Sequence, residues 1–336
     1  MPEPYHQPVL LDEVCAALSP SLSPKENSAG ASHETLIYVD GTCGGAGHAS
    51  AILDRTGVQR LLLLDRDPDA LAYSRPHILG HAEASPDLRI SKARIEFCHT
   101  PFASVASALE ERDLHHVNAI LVDLGVSSHQ LDLASRGFSF QGDGPLDMRM
   151  DSSGGESAGA LLARVSHAEL RRILSDYGDE NDAPRIATAI LAAKPQTTHA
   201  LALVVTHAMS GRQRRKLGLR IHPATRTFQA LRIAVNGELD QLDAFLEIAP
   251  SLLAPGGRLA VISFHSLEDR RVKRRFRTLT RVEALPRHIP MTAEQMPQSD
   301  YVIPKGFAKA VAPSADECRA NPRARSARLR VLERRP

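Results

Sequence analysis

The sequence predicts an α/β protein: a doubly wound, mostly parallel sheet interrupted by an all-helical insert. Three observations predict it. In the first 123 residues, short apolar runs alternate with segments of helical spacing. Roughly 130 residues then follow with helical periodicity and no convincing strand. After them "LAPGGRLAVISF" at 253–264 supplies a turn and a further strand, which resumes the earlier pattern.

Taken in order, Leu36–Asp40 reads as a buried strand and Gly47–Asp54 as the start of a helix. Arg60–Asp65, "RLLLLD", is a second strand, with a helix from Pro68. Arg94–Cys98 is a third strand, followed by a helix near Ser104–Arg112, and Val117–Asp123, "VNAILVD", is a fourth. The insert runs over 129–234, so the sheet domain is expected over 1–128 and 235–336. "SAGALLARVSHAELRRILSDYG", "APRIATAILAAK" and "HALALVVTHAMS" carry its helical spacing. "TFQALRIAVNGELDQLDAFLEIA" then reads as one long amphipathic helix, with Phe228, Leu231, Val235, Leu239, Leu242 and Leu246 on a single stripe. Residues 281–320 are Pro-rich and read as a long loop. The tail ends in a strand from Ser326, with Ala327, Leu329 and Val331 on one face and Arg328 and Arg330 on the other.

Composition narrows the function. Of 336 residues, 43% are hydrophobic, enough for a packed core, while Trp is absent and aromatics are only 4%, which excludes recognition by rows of stacked rings. The apolar runs are too short to cross a bilayer and the N-terminus lacks the pattern of a secretory signal, so a soluble, cytoplasmic protein without membrane attachment is expected. Cys15, Cys43, Cys98 and Cys318 form no C-x-x-C pair and have no His at ligand spacing, so no metal site is expected. Net charge is +2, but unevenly spread: residues 270–336 hold 17 Lys and Arg against six acids, whereas the first 269 hold 24 against 33. A basic end on an acidic body fits a polyanionic partner, or equally a solvated tail.

The most informative stretch is "DGTCGGAGH" at 40–48. Its glycines do not fit G-x-G-x-x-G, and no Gly-Lys-Ser/Thr follows, so it matches neither loop that cradles a pyrophosphate. Asp40 ends the strand beside it. A carboxylate there would repel pyrophosphate and favour a ligand bearing an ammonium and a sulfonium, which S-adenosylmethionine carries. Asp65 ends the next strand, where an acid commonly holds a ribose diol. Dinucleotide binding and a turn without a ligand remain alternatives at this point. Phe102, in the loop after the third strand, is placed either to pack on an adenine or to fill the core.

Further blocks have no generic explanation: "HQPVLLDEV" (6–14), "DLGVSSHQLD" (123–132), "RGFSF" (136–140), "GPLDMRM" (144–150), "HPATRTFQALRIAVNGEL" (222–239), "LAPGGRLAVISFHSLEDRRVKR" (253–274) and "NPRARSARLR" (321–330). With the glycine loop they closely resemble, in order, the RsmH (MraW) family of bacterial methyltransferases, which modify the exocyclic N4 of a cytidine in the decoding region of small-subunit (16S) ribosomal RNA. The resemblance implies a Rossmann-like S-adenosylmethionine-dependent methyltransferase sheet with a helical insert that recognises RNA. It implies cofactor contacts at Ala46, Gly47, His48, Asp65, Phe102, Asp123 and Gln130, beside the Asp40 read from the loop. The family loop usually has glycine where Ala46 stands. "DENDAPRIA" near 179–186 departs from the family's basic and aromatic residues, and 23–34 form a longer loop than is usual.

Cytosine N4 is a poor nucleophile, because its lone pair is delocalised into the ring. Acceptors for its two hydrogens would favour a pyramidal amine. Asp123, Ser127 and Ser128 are the expected catalytic groups, with Ser263 and His265 as secondary candidates that fit loop hydrogen bonding equally well. Asp147 and Arg149 are expected at the base pocket, either as a structural ion pair or against RNA. Phosphate contacts are expected from "GRQRRKLGLR" (Arg214, Arg215), "RRVKRRFR" (Lys273, Arg274) and the 319–335 tail (Arg323, Arg325). The expected partner is 16S ribosomal RNA in the small subunit. The Ala-rich insert helices suit a homodimer or a core equally. The competing readings are an enzyme of this fold acting on another RNA, and a non-catalytic assembly factor.

Overall fold

The run "RLLLLD" at 60–65 shows how the sheet is built. Its four leucines are all buried, and alternate ones enter different cores: Leu61 and Leu63 one, Leu62 and Leu64 the other. A strand buried on both faces needs no polar alternation, which is why it reads as a continuous apolar run. The computed structural model describes residues 8–23, 35–218, 222–282 and 298–336. Two units make up the chain, Met1–Gly125 with Gln241–Pro336, and Val126–Asp240.

In the first unit the strands are β1 (Ile37–Asp40), β2 (Arg60–Asp65), β3 (Arg94–His99), β4 (Val117–Asp123), β5 (Leu253–Ser263), β6 (Tyr301–Val302) and β7 (Arg328–Arg334). They form one sheet in the order β3-β2-β1-β4-β5-β7-β6, parallel except for β7, which runs antiparallel to both its neighbours. Strand order reverses between β1 and β4, the place where such sheets open a ligand crevice. Helices α1 (Leu11–Leu18), α2 (Gly47–Arg55) and α3 (Pro68–Ala84) cover one face, with α4 (Leu88–Ser91) at its margin. The opposite face is covered by α5 (Val105–Glu110), while Leu242, Phe245, Leu246, Val272 and Phe276 join its core from two later helices.

The second unit is helical: α6 (Ser128–Asp132), α7 (Ala158–Arg164), α8 (His167–Gly178), α9 (Ala183–Ala193), α10 (Thr198–Ala208), α11 (Gly211–Leu217) and α12 (Thr225–Asn236). One core joins α7, α8, α9, α10 and α12, including Leu170, Leu174, Ile186, Ile190, Leu201, Val205, Phe228 and Leu231. At Gly178 the backbone of α8 approaches α12 so closely that an added Cβ would lie 2.8 Å from the Arg226 carbonyl oxygen.

Two expectations are corrected. The long amphipathic helix is two helices, α12 and α13 (Glu238–Ile248), because Gly237 adopts φ 58° and caps α12. Left-handed backbone ends a right-handed helix, and glycine adopts it without steric cost. The Pro-rich stretch 281–320 is not wholly irregular either: Tyr301–Val302 pairs with β7, and α15 spans Ala315–Ala320. The remaining helix, α14 (Ser266–Leu279), follows β5. Residues 6–7, 24–34, 219–220 and 283–297 of the stretches singled out above lie outside the described residues.

Candidate functional site

The end of the sheet at the reversal point carries strand-end carboxylates. In the sheet register Asp40 stands opposite Leu63 on β2 and Leu121 on β4. Asp65 and Asp123 therefore reach two residues further along the strands that flank it. The loop after β1 rises between them, and its backbone is tied to both sides. Gly41 donates its N–H to the Leu121 carbonyl at 2.8 Å, and Cys43 donates to the Leu64 carbonyl at 2.8 Å. Gly44, at φ 49°, donates to Asp65 Oδ2 at 2.8 Å, and Asp67 N–H donates to the other Asp65 oxygen at 2.9 Å. The Thr42 hydroxyl accepts the Asp123 N–H at 2.7 Å, while its own N–H donates to Asp40 Oδ1 at 3.2 Å.

Burial shapes the electrostatics. Desolvation pushes the Asp40 carboxyl up to about 7, against the opposing effect of hydrogen bonds from Thr42 and from the Tyr38 hydroxyl at 3.1 Å, and the Asp123 and Asp65 charges push the same way as burial. Asp65 is pushed up to about 6, again chiefly by desolvation. The Asp65 and Asp123 charges raise the affinity of Asp40 for a proton, and the three strand-end carboxylates concentrate negative charge at one end of the sheet. A cationic ligand relieves that repulsion, and a pyrophosphate would add to it. The acid set therefore fits S-adenosylmethionine, whose sulfonium and ammonium are both positive.

Ala46 sits at φ 61° with its side chain buried, immediately before α2. The turn thus has the left-handed geometry usual for glycine, held by alanine. Gly47 packs against Pro8, whose Cγ would lie 3.0 Å from an added Cβ. His48 is buried and its Nε2 lies 2.9 Å from the Val9 carbonyl oxygen, so that nitrogen carries the proton and ties α2 to the start of α1. The Phe102 ring meets Phe245 edge-to-face at 5.3 Å within the buried cluster. Two residues unassigned from sequence also line this end of the sheet. Thr42 links Asp40 to Asp123, and His99 stands directly across from Asp65 with Nε2 3.1 Å from the Arg66 carbonyl oxygen. Their position at or just beyond a strand end was the available signal.

Other candidates are engaged in the fold. Ser127 caps α6: its hydroxyl accepts the Gln130 N–H at 3.2 Å, and Gln130 Oε1 accepts the Ser127 N–H at 3.0 Å. The S-x-x-Q spacing is a capping-box signature that the sequence displayed. Ser128 is the first residue of that helix. Ser263 is buried, and His265 is the N-cap of α14, with Nε2 3.1 Å from Glu268 Oε1. Asp147 and Arg149 form a two-pronged ion pair at 2.7 and 2.8 Å. Arg136, also buried, holds that loop through the Arg149 and Met150 carbonyls, and Asn236 holds it through Met148 and Met150.

Among the phosphate candidates, Arg214 donates to the Met209 and His207 carbonyls at the end of α10, while Arg215, Lys273, Arg274, Arg323 and Arg325 are exposed. The basic face expected for the last strand is partly neutralised, since Arg330 pairs with Asp269 at 2.7 Å. Among the described residues no group of three His, Cys, Asp or Glu is placed to hold a metal, and no helix is long and apolar enough to cross a membrane.

Comparison with known proteins identifies the family. A protein named ribosomal RNA small subunit methyltransferase H from Halorhodospira halophila is 46% identical over 342 residues, covering 98% of this chain and 94% of its own. Proteins of the same name from Methylobacillus flagellatus and a Geobacter species are each 44% identical, covering 98% of this chain and 94% and 98% of their own. The model of the MraW methylase family matches residues 3–335, and the chain belongs to that family.

Proposed function

We propose that this chain is an S-adenosylmethionine-dependent methyltransferase that methylates the exocyclic N4 of a cytidine in 16S ribosomal RNA of the small subunit. The observation that carries the reading is the set of three carboxylates, Asp40, Asp65 and Asp123, around a left-handed loop at the reversal point of the sheet, in a chain of a methylase family. The small-subunit RNA named in its relatives supports a reaction in the cytoplasm.

When bound, S-adenosylmethionine supplies an electrophilic methyl group on its sulfonium. The residues of this chain bind and orient. Asp65, held by Gly44 and Asp67, accepts hydrogen bonds from a ribose diol. Asp40 supplies buried negative charge beneath the loop, and Gly44, Ala46, Gly47 and His48 set the wall of the cofactor site. Asp123 is the proposed catalytic group, accepting an N4 hydrogen so that the nitrogen lone pair is directed away from the ring. Ser127 is assigned to capping, which leaves the substrate-side role to Asp123. The helical insert is the proposed site of RNA recognition, with the Asp147–Arg149 pair stiffening its loop. Arg215, Lys273, Arg274, Arg323 and Arg325 are proposed to contact phosphates.

The test is methylation of small subunits that lack the modification, read by mass spectrometry of nucleosides. N4-methylcytidine is the expected product, and its absence beside a working control enzyme rejects the proposal. Asp65→Ala is expected to weaken S-adenosylmethionine binding at least tenfold in calorimetry, consistent with loss of charged-acceptor hydrogen bonds. Asp123→Ala should spare that affinity largely and lower turnover; unchanged turnover removes its catalytic role.

A further inference from the structure

Helix α14 carries six cations in "RRVKRRFR", and the structure sorts them into two sets. Arg271 and Arg275 turn inward along α13. Arg271 pairs with Asp243 at 3.1 Å and donates to the Leu267 carbonyl, and Arg275 donates to the Leu246 and Glu247 carbonyls. Arg270, Lys273, Arg274 and Arg277 are all exposed, and none forms an ion pair among the described residues. Their spacing is i, i+3, i+4, i+7, which is one face of a helix. That face is opposite Val272 and Phe276, which are buried in the sheet core. The acids of the helix do not dilute it: Glu268 is buried at the N-terminal cap, and Asp269 is paired with Arg330 of β7.

We infer that this stripe is a docking ridge for the phosphodiester backbone of the RNA substrate, away from the target base. Four cations over roughly 10 Å of helix axis, with no carboxylate among them, are complementary to a strand of successive phosphates. Exposed cations of this kind contribute little to folding. Binding them to phosphate releases counterions, so their signature is the dependence of affinity on salt. The inference rests on the RNA reading above and divides the basic segment: Arg270 and Arg277 join Lys273 and Arg274 on the ridge, whereas Arg271 and Arg275 hold α14 to α13.

The experiment compares the full chain with the variant Arg270→Gln/Lys273→Gln/Arg274→Gln/Arg277→Gln. Binding to a 16S ribosomal RNA transcript is titrated over a range of potassium chloride concentrations. The slope of log affinity against log salt is expected to fall by about 3, four contacts at 0.7 to 0.9 each, with Tm and S-adenosylmethionine affinity unchanged. The half-variants, Arg270→Gln/Lys273→Gln and Arg274→Gln/Arg277→Gln, should each remove about half of that change. Arg271→Gln/Arg275→Gln should lower Tm and keep the wild-type slope. A wild-type slope in the fourfold variant overturns the inference and leaves the methylation assay untouched. The same holds if the variant instead loses binding to phosphatidylglycerol vesicles that the wild type retains. Failure to form N4-methylcytidine, read separately, would overturn the functional reading on which the ridge depends.

Discussion

Asp40 is a buried acid whose proton is held until about pH 7, and this has a cost that can be measured. The folded chain binds that proton more tightly than the unfolded chain, whose carboxyl titrates near 3.8. Stability contributed by the protonated form is therefore complete below about pH 4 and is lost as pH rises to about 7. A shift of this size corresponds to a few kcal/mol, on the order of 1.4 per unit. Asp40→Asn keeps an oxygen to accept the Thr42 N–H, turns its amide N–H toward the Tyr38 hydroxyl oxygen, and cannot ionise. Its Tm in the ligand-free state should match the wild type near pH 4 and exceed it at pH 8; a gap independent of pH would contradict the burial argument. The same variant should bind S-adenosylmethionine more weakly, because the charge that destabilises the empty fold is the one that meets the cation. Ala46 poses a second residue-scale test. A left-handed alanine costs about 1–2 kcal/mol relative to ordinary backbone, and removing its buried methyl gives back about 0.8 of that. Ala46→Gly should thus raise stability by no more than about 1 kcal/mol, measured by urea denaturation, and a loss above that size would mean the methyl packs more tightly than its backbone strains. The strand-end acids were legible in the sequence because a buried parallel strand is an apolar run, and its last residue is the first polar one. The direction of the Phe102 ring was not, since Phe245, which meets it, lies 143 residues away.

At the scale of elements, local and non-local causes separate. The short α6 begins with a complete capping box, in which Ser127 and Gln130 satisfy each other's backbone donors. Losing such a cap costs about 0.5–2 kcal/mol. Ser127→Ala should lower Tm accordingly while turnover per folded molecule stays near wild type, and Ser127→Asp, another strong cap, should restore Tm. A hundredfold loss of turnover at unchanged Tm would return Ser127 to the catalytic set. Periodicity alone joined α12 to α13, because the stripe of apolar residues continues across Gly237 with no change of phase in the sequence. The glycine carries the break, and its left-handed φ is a conformational choice that a hydrophobic pattern does not record. The last strand shows the reverse case. Its alternation placed Leu329 and Val331 in the core correctly, but the partner of Arg330 is Asp269, 61 positions earlier, so the tail's basic face could not be discounted from its own sequence.

At the scale of the whole molecule, the two substrates meet different electrostatics. The net charge of +2 is too small to draw a polyanion by itself, and the first 269 residues are acidic overall. Attraction to RNA must therefore come from local clusters such as the exposed face of α14, where each contact is open to solvent and screened over about 10 Å at 0.1 M salt. The carboxylates proposed to hold the cofactor are the opposite case: Asp40 is buried, and Asp65 is partly buried under backbone donors, so mobile ions reach them poorly. Salt should accordingly act on one substrate and spare the other. In methylation assays at constant pH, the KM for RNA is expected to climb steeply with potassium chloride, roughly as a power of the number of phosphates engaged, while the KM for S-adenosylmethionine changes by less than about twofold. The contrast also separates the proposed roles of the residues. Neutralising Lys273 and Arg274 should flatten the RNA curve alone, and Asp65→Ala should displace the cofactor KM at every salt concentration. Equal salt dependence of the two KM values would show that the cofactor site is open to solvent, against the burial of its acids.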